Sequence, residues 1–114
     1  MKLVSAIIRP PKLPAVLAAL EDMEIQRMTI CDAQGFERHD ADLSATSAVP
    51  TGRLFRKLNV EIVVNDDFVA RAVDAICAAA KTGSDGAIGD GKLFVFPVED
   101  TIQIDDQKRG PQAV

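Results

Sequence analysis

The sequence has 114 residues, which is enough for one ordinary domain with a single hydrophobic core. Hydrophobic residues make up 47% and charged residues 26%, a balance typical of globular proteins and not of disordered chains. The net charge of -4 opposes binding to a phosphate backbone, and the absence of Trp and Tyr leaves little for stacking on bases, so we expect no nucleic-acid partner.

The first half of the chain predicts two strands and a helix. Residues 3–8 are rich in Val and Ile and precede Arg9-Pro10-Pro11, which is typical of a buried strand ended by a turn. Apolar residues recur at helical spacing over residues 13–23, with Pro14 suited to the first turn. Residues 25–36 predict a second strand. Residues 37–56 show no sustained period, and a segment of that length is usually functional or disordered.

The second half predicts a strand, a helix and another strand. Leu58, Val60, Ile62 and Val64 alternate with polar residues, which indicates a strand with one buried face. Asn65 is a candidate N-cap for a helix over residues 68–81. Residues 82–91, here called the glycine loop, contain four glycines and precede a strand over residues 92–98. A short edge strand at residues 101–104 and a loosely held tail at residues 105–114 follow.

This order of elements predicts an α+β fold of the ferredoxin-like βαββαβ type over residues 1–114. In that fold two helices cover one face of a four-stranded antiparallel sheet. The other face is left without a covering layer, so its Val- and Ile-rich positions predict self-association. No apolar run approaches membrane-spanning length, and we expect a cytoplasmic protein without membrane insertion.

Two segments could bind an anion. Residues 86–92 superficially fit the phosphate-binding GxxxxGK pattern, but Leu93 stands where a hydroxyl residue is needed, and the loop precedes a strand rather than a helix. What remains is a glycine-rich backbone beside Lys92, which fits an anion loop or a bare turn equally well. The second segment is the long loop, which fits an anion site or a solvated loop. The basic residues at its two ends are Arg38, Arg53, Arg56 and Lys57.

The residues offer little for catalysis or metal binding. His39 beside Asp40 and Asp42 could hold a metal, although a surface position is the more common explanation. Cys31 and Cys77 match no zinc spacing and are interpreted as reduced thiols in the core. Because no nucleophile, base and orienting group can be assembled from these residues, we expect no enzyme and no catalytic residue. We also expect no metal site and no cofactor.

The sequence resembles the PII family of signal-transduction proteins nearly end to end. The resemblance rests on these strings: Ala6-Ile7-Ile8-Arg9-Pro10, Met28-Thr29-Ile30, Gly35-Phe36-Glu37-Arg38, Glu61-Ile62-Val63-Val64 and Ile88-Gly89-Asp90-Gly91-Lys92-Leu93-Phe94-Val95. It implies a homotrimer that binds adenine nucleotides in three intersubunit clefts. A long T-loop, here about residues 37–56, would dock on a target protein such as a transporter or metabolic enzyme. The glycine loop corresponds to the family's phosphate-binding B-loop.

The resemblance also implies site residues. Ile7, Thr29, Gly35, Phe36, Glu37, Arg38 and Val64 fall where the family lines its nucleotide cleft. Gly89, Asp90, Gly91 and Lys92 fall on the B-loop, and Lys57 on the lysine that ends the T-loop. Gln103 and Asp105 replace two arginines that reach the phosphates, which favours ADP or AMP over ATP because less negative charge can be neutralised.

The expected function is a trimeric regulator that senses adenine nucleotide, with bicarbonate as a second effector held by Arg38, His39 and Lys57. His39 replaces a glutamine that helps the family hold Mg²⁺ and oxoglutarate, whereas bicarbonate is the ligand of a divergent branch found with carboxysomes and bicarbonate transporters. The loop has no tyrosine, so tyrosyl uridylylation is excluded. The alternatives are a nitrogen regulator sensing ATP and 2-oxoglutarate, a small nucleotide hydrolase with His39 or Asp90 as base, and a metal-responsive module using His39.

Overall fold

The computed structural model describes residues 1–38 and 52–114 and contains four strands and two α-helices. The strands are β1 (Lys2–Ile8), β2 (Thr29–Arg38), β3 (Gly52–Val64) and β4 (Gly91–Pro97). The helices are α1 (Leu13–Glu21) and α2 (Val69–Ala80). Within these two ranges, three short 3-10 turns lie at Pro10–Lys12, Asp66–Phe68 and Gly110–Ala113. No helix among the described residues is long and apolar enough to cross a membrane.

The four strands form one antiparallel sheet in the order β2-β3-β1-β4. This arrangement confirms the predicted ferredoxin-like fold. β4 lies at one edge of the sheet. Proline cannot donate a hydrogen bond to a neighbouring strand, and Pro97 is tolerated there because an edge strand has a neighbour on one side only. The connections through α1 and α2 return the chain to the same face of the sheet, and the two helices pack against each other.

The hydrophobic core lies between the helices and one face of the sheet. Alternate residues of β1 and β3 point into it, which is the period-two pattern expected of strands with one buried face. Val16 and Leu20 of α1 and Ala72 and Ile76 of α2 cover them. The sheet residues of this core are Val4, Ala6, Ile8, Leu58, Val60, Ile62 and Val64.

The other side of the sheet, here called the outer face, is formed by the alternate set of strand residues. Phe94 and Phe96 of β4 lie there about half exposed, with their ring centroids 6.4 Å apart. At its centre, the Ser5 hydroxyl donates to Asn59 Oδ1 (2.9 Å), and Asn59 Nδ2 donates to Glu61 Oε1 (3.0 Å). The outer face therefore carries a hydrogen-bonded polar centre with aromatic side chains at its β4 edge.

The long strand pair β2–β3 differs from the sequence expectation. Pairing continues to Glu37 opposite Arg53 and Arg38 opposite Gly52, inside the segment predicted as loop from residue 37 to residue 56. The backbone N–H and C=O groups of these residues form hydrogen bonds with the neighbouring strand. Because this pairing depends on the partner strand, it leaves no periodic pattern in the sequence of either segment. Residues 39–51, the remainder of the predicted T-loop, lie outside the described residues.

The C-terminal tail is more firmly held than expected. Ile102 bridges Arg109, and Arg109 Nη1 donates to Asp100 Oδ2 (2.7 Å), which folds the chain back on itself. Asn65 Nδ2 donates to the Pro111 carbonyl (3.4 Å), and Ala113 is buried. The prediction of a loose tail over residues 105–114 was wrong: a local turn pairs Arg109 with Asp100 and Ile102, and Asn65, which lies far away in sequence, contacts Pro111.

Two smaller expectations were also wrong. Cys31 and Cys77 are free thiols but are exposed in the single chain rather than buried in its core. Asn65 does not cap the second helix with its side chain; instead its carbonyl accepts a hydrogen bond from the Phe68 N–H (2.9 Å) at the start of the 3-10 turn.

Candidate functional site

The glycine loop joins the end of α2 to the start of β4 and is shaped by close backbone approach. Gly91 has φ +124°, and a Cβ placed there would lie 1.8 Å from the Ile7 carbonyl oxygen. Gly89 has φ +93°, a conformation that other residues rarely adopt. The loop therefore runs directly against the end of β1, at a distance that only a residue without a side chain permits.

Asp90 closes the glycine loop from within. Its carboxylate accepts hydrogen bonds from the Thr82 N–H (2.9 Å), the Ala87 N–H (2.8 Å) and the Thr82 hydroxyl. These bonds, with the Thr82 hydroxyl the largest cause, hold the pKa of Asp90 far below its usual range because they favour the ionised form. Asp90 was predicted as a nucleotide-binding residue, and here both of its oxygens are engaged in holding the loop.

Arg9 fastens the same loop to the end of β1. Its Nε donates to Asp90 Oδ1 (3.1 Å), and its Nη2 donates to the Ile88 carbonyl (2.9 Å). From sequence, Arg9 was expected to end a strand and belonged to a string that resembles the PII family, but no contact with the glycine loop was predicted. Its partners lie about eighty residues away along the chain, so no local pattern identifies the contact.

Lys57 brings β3 to the glycine loop. Its ammonium group donates to the Gly89 carbonyl. Its aliphatic stem passes Gly35 on the adjacent strand, where an added Cβ would lie 3.6 Å from Lys57 Cγ. Lys92 lies opposite Ile7 in the sheet, one residue beyond Gly91. One corner of the sheet thus collects seven predicted site residues: Ile7, Gly35, Lys57, Gly89, Asp90, Gly91 and Lys92.

Three other predicted residues lie near the far end of the β2–β3 pair. Phe36 is 57% exposed opposite Leu54, and Glu37 lies opposite Arg53. The backbone of Arg38 pairs with Gly52. His39, the third predicted effector ligand beside Arg38 and Lys57, lies outside the described residues.

The remaining predicted residues are separated from this corner in the single chain. Thr29 lies opposite Glu61, six residues from Gly35 along β2, which corresponds to about 20 Å. Gln103 follows β4, where its N–H donates to the Lys108 carbonyl (2.8 Å). Val64 is buried in the core, whereas its neighbour Val63 occupies the outer face, so Val63 is the better-placed side chain for an outer-face site.

A cavity of about 520 Å³ lies on the helix side of the glycine loop. Its walls are mainly apolar and include Ile8, Ile76 and Leu93, while Lys81 and Asp85 supply charged groups. Among the described residues, no group of three or more His, Cys, Asp or Glu side chains is placed to hold a metal ion. His39, the residue on which the alternative of a metal-responsive module depends, lies outside that part of the chain.

The comparisons with known proteins agree with this fold. A sequence profile described as "Nitrogen regulatory protein P-II" matches residues 1–108. The chain is 44% identical to the nitrogen regulatory protein P-II of Nostoc punctiforme, over 100% of both chains. It is 38% identical to the nitrogen regulatory protein GlnK1 of Methanosarcina mazei, over 100% of this chain and 97% of the relative.

A solved structure matches the chain equally well along its length. The structure of Arabidopsis thaliana PII bound to citrate superposes with a TM-score of 0.80 and 34% identity, over 99% of this chain and 91% of the other. Both the profile and these relatives extend over nearly the whole sequence. They confirm the resemblance, and the chain belongs to the P-II family of nitrogen regulatory proteins, which are signalling regulators rather than enzymes.

Proposed function

We propose that this chain is a signalling regulator that binds an adenine nucleotide with its phosphates at the glycine loop. The observation that supports this most directly is the contact between the Lys57 ammonium group and the Gly89 carbonyl. It brings a cation to a glycine-rich backbone that also carries Lys92. Glycines allow backbone N–H groups to approach an anion closely, and the two lysines compensate its charge.

The proposed working form is a homotrimer, in keeping with the P-II family, whose members are trimeric and regulate partner proteins. The half-exposed Phe94 and Phe96 on the outer face favour burial against another copy. Assembly also offers a reason for the wide separation of Thr29 from Gly35, since a neighbouring subunit can supply one half of a cleft. Light scattering should give three times the mass of one chain, and a monomer in solution would contradict the proposed assembly.

Lys57 provides a test of the nucleotide site. Changing Lys57 to Met should weaken ADP binding about 10- to 100-fold in calorimetric titration, because a charge-assisted contact to phosphate is lost. Lys2→Met is a matched control, since Lys2 pairs with Asp66 at the other end of β1. Equal ADP affinity in Lys57→Met and the unaltered protein would refute the role of Lys57.

Bicarbonate is the proposed second effector. It is a small, planar anion with one charge, so it needs fewer positive contacts than Mg²⁺ with oxoglutarate. Gly35 and Lys57 adjoin each other, which offers backbone and one cation beside the nucleotide phosphates. If the two ligands bind together, bicarbonate should tighten ADP binding and ADP should tighten bicarbonate binding by the same factor.

The proposed output is control of a partner protein, such as a transporter or metabolic enzyme, through the T-loop. A ligand can bias such a loop only by binding its conformers with different affinity. Lys57 and Gly35 lie on the strands that lead into residues 39–51, so a ligand at the glycine loop contacts the base of that segment.

The second candidate is a nitrogen regulator that senses ATP and 2-oxoglutarate. The specific observation in its favour is that relatives at 38% and 44% identity are named nitrogen regulatory proteins. Against it stand Gln103 and Asp105, which leave fewer positive charges for a triphosphate, and His39 in place of glutamine. The two candidates predict different nucleotide and effector preferences.

A further inference from the structure

Arg9 holds the glycine loop at two points on either side of Gly89. Its guanidinium donates to the Asp90 carboxylate through Nε (3.1 Å) and to the Ile88 carbonyl through Nη2 (2.9 Å). The planar fork of arginine suits such a double contact, and a lysine ammonium cannot reproduce it. Arg9 therefore holds the Ile88 carbonyl on one side of Gly89 and the Asp90 side chain on the other.

The backbone of Gly89 lies directly on this guanidinium. A Cβ added at Gly89 would lie 3.1 Å from Arg9 Nη2, which is tighter than ordinary van der Waals contact. The carbonyl of the same residue accepts the hydrogen bond from Lys57. Residues 88–90 thus contact two cations. Ile88 and Asp90 contact Arg9, and Gly89, which lies between them, contacts Lys57. Lys57 and Lys92 are then the cations proposed to contact an incoming anion at the loop.

Asp90 makes a positive partner necessary at this position. Its side chain is 18% exposed and its other contacts, to Thr82 and Ala87, are made with neutral donors. An ionised carboxylate in a loop that receives an anion would repel that anion, whereas the Arg9 guanidinium compensates the charge. Lys81 also lies close, since a Cβ at Gly86 would contact both Lys81 and Asp90, but no ion pair joins Lys81 to Asp90 among the described residues.

We propose that Arg9 is a positioning residue that holds the glycine loop in its anion-receiving shape and compensates the Asp90 carboxylate. The ligand it serves is a nucleoside diphosphate, and this part of the inference rests on the proposed function. Both of its loop contacts are made to the chain, and we assign it no direct contact with the phosphates. Its effect on affinity is exerted through the shape and charge of residues 88–90.

Hydrogen exchange of the ligand-free protein tests the proposal without any nucleotide. In Arg9→Gln, the Thr82, Ala87 and Asp90 amides should exchange about tenfold faster than in the unaltered protein. Amides of β1 and β3 should keep their protection, because the core contacts are unchanged. Arg71→Gln is the matched control, since Arg71 lies over the Phe68 ring on α2 and does not contact the loop. Arg9→Lys should restore part of the protection, as it keeps the charge but loses the fork.

Calorimetric titration with ADP and AMP then measures the effect on affinity. Arg9→Gln should weaken ADP binding three- to tenfold and AMP binding less, because ADP carries more charge to the loop. Unchanged loop exchange in Arg9→Gln would overturn the proposal. If Arg9→Gln does not fold, Arg9→Lys decides instead: loop amides as protected as in the unaltered protein would overturn the positioning role. If the unaltered protein binds no ADP, the proposed function fails, and hydrogen exchange still decides the role of Arg9.

Discussion

Replacing Gly91 with alanine should destabilise the protein by about 3 to 5 kcal/mol, the size of effect that accompanies backbone strain in a packed region. The added Cβ would lie 1.8 Å from the Ile7 carbonyl oxygen and 2.9 Å from its carbon. Both are main-chain atoms of a central strand and cannot move aside as a flexible side chain could. Gly91 also begins β4, so relief of the clash would separate β4 from β1.

Gly83→Ala is the matched control for this prediction. Gly83 lies in the same loop with φ +63°, but apart from its chain neighbours no described residue has an atom within 4 Å of a Cβ placed there. That change should cost only about 1 to 2 kcal/mol for the left-handed conformation. Chemical denaturation measures both free energies of unfolding. Equal losses in the two variants would show that close approach to Ile7 does not determine the conformation of residue 91.

Introducing arginine at Gln103 and Asp105 together should tighten ATP binding about 100-fold. The change raises the net charge by three, since Gln103 gains one positive charge and Asp105 changes from negative to positive. Each of two charge-assisted contacts to phosphate should lower the dissociation constant by a factor of roughly ten. The gain is largest for ATP because its phosphates carry the most negative charge. ADP should gain less than ATP, and AMP least. Calorimetric titration of the three nucleotides measures this order.

A control with the same added charge separates local contact from general attraction. Asp22→Arg with Gln112→Arg also raises the net charge by three, at two exposed positions. Long-range attraction alone would tighten binding in both double variants, and more at low salt than at high salt. If the control matched the gain of the Gln103 and Asp105 variant, the predicted phosphate contacts would be refuted.

The fold could be predicted from sequence wherever a pattern is local. The alternation of Leu58, Val60 and Ile62 identified a strand, and all three are buried as expected. The end of β2 and the start of β3 were predicted less well, because Glu37 and Arg53 belong to strands only through their pairing with each other. Such pairing depends on the partner strand and leaves no period within either segment.

The site could be predicted in part. The spacing of Gly89, Gly91 and Lys92 fitted an anion loop or a bare turn equally well, and the resemblance pointed to Lys57, whose ammonium group lies at Gly89 in the structure. The role of Asp90 as the closing group of the loop was missed. Its donors are two backbone N–H groups and a threonine hydroxyl, and their positions around Asp90 cannot be inferred from a sequence pattern. Arg9 was missed for a similar reason, since its partners meet it only after β1 and β4 have paired.

The most direct test of the proposed function is calorimetric titration of the purified protein with ADP and with ATP and Mg²⁺. Each titration is repeated with bicarbonate and with 2-oxoglutarate. We expect ADP to bind more tightly than ATP, bicarbonate to strengthen ADP binding, and 2-oxoglutarate to have no effect. Tight binding of ATP that requires Mg²⁺ and is strengthened by 2-oxoglutarate would contradict this account and identify the chain as a conventional nitrogen sensor.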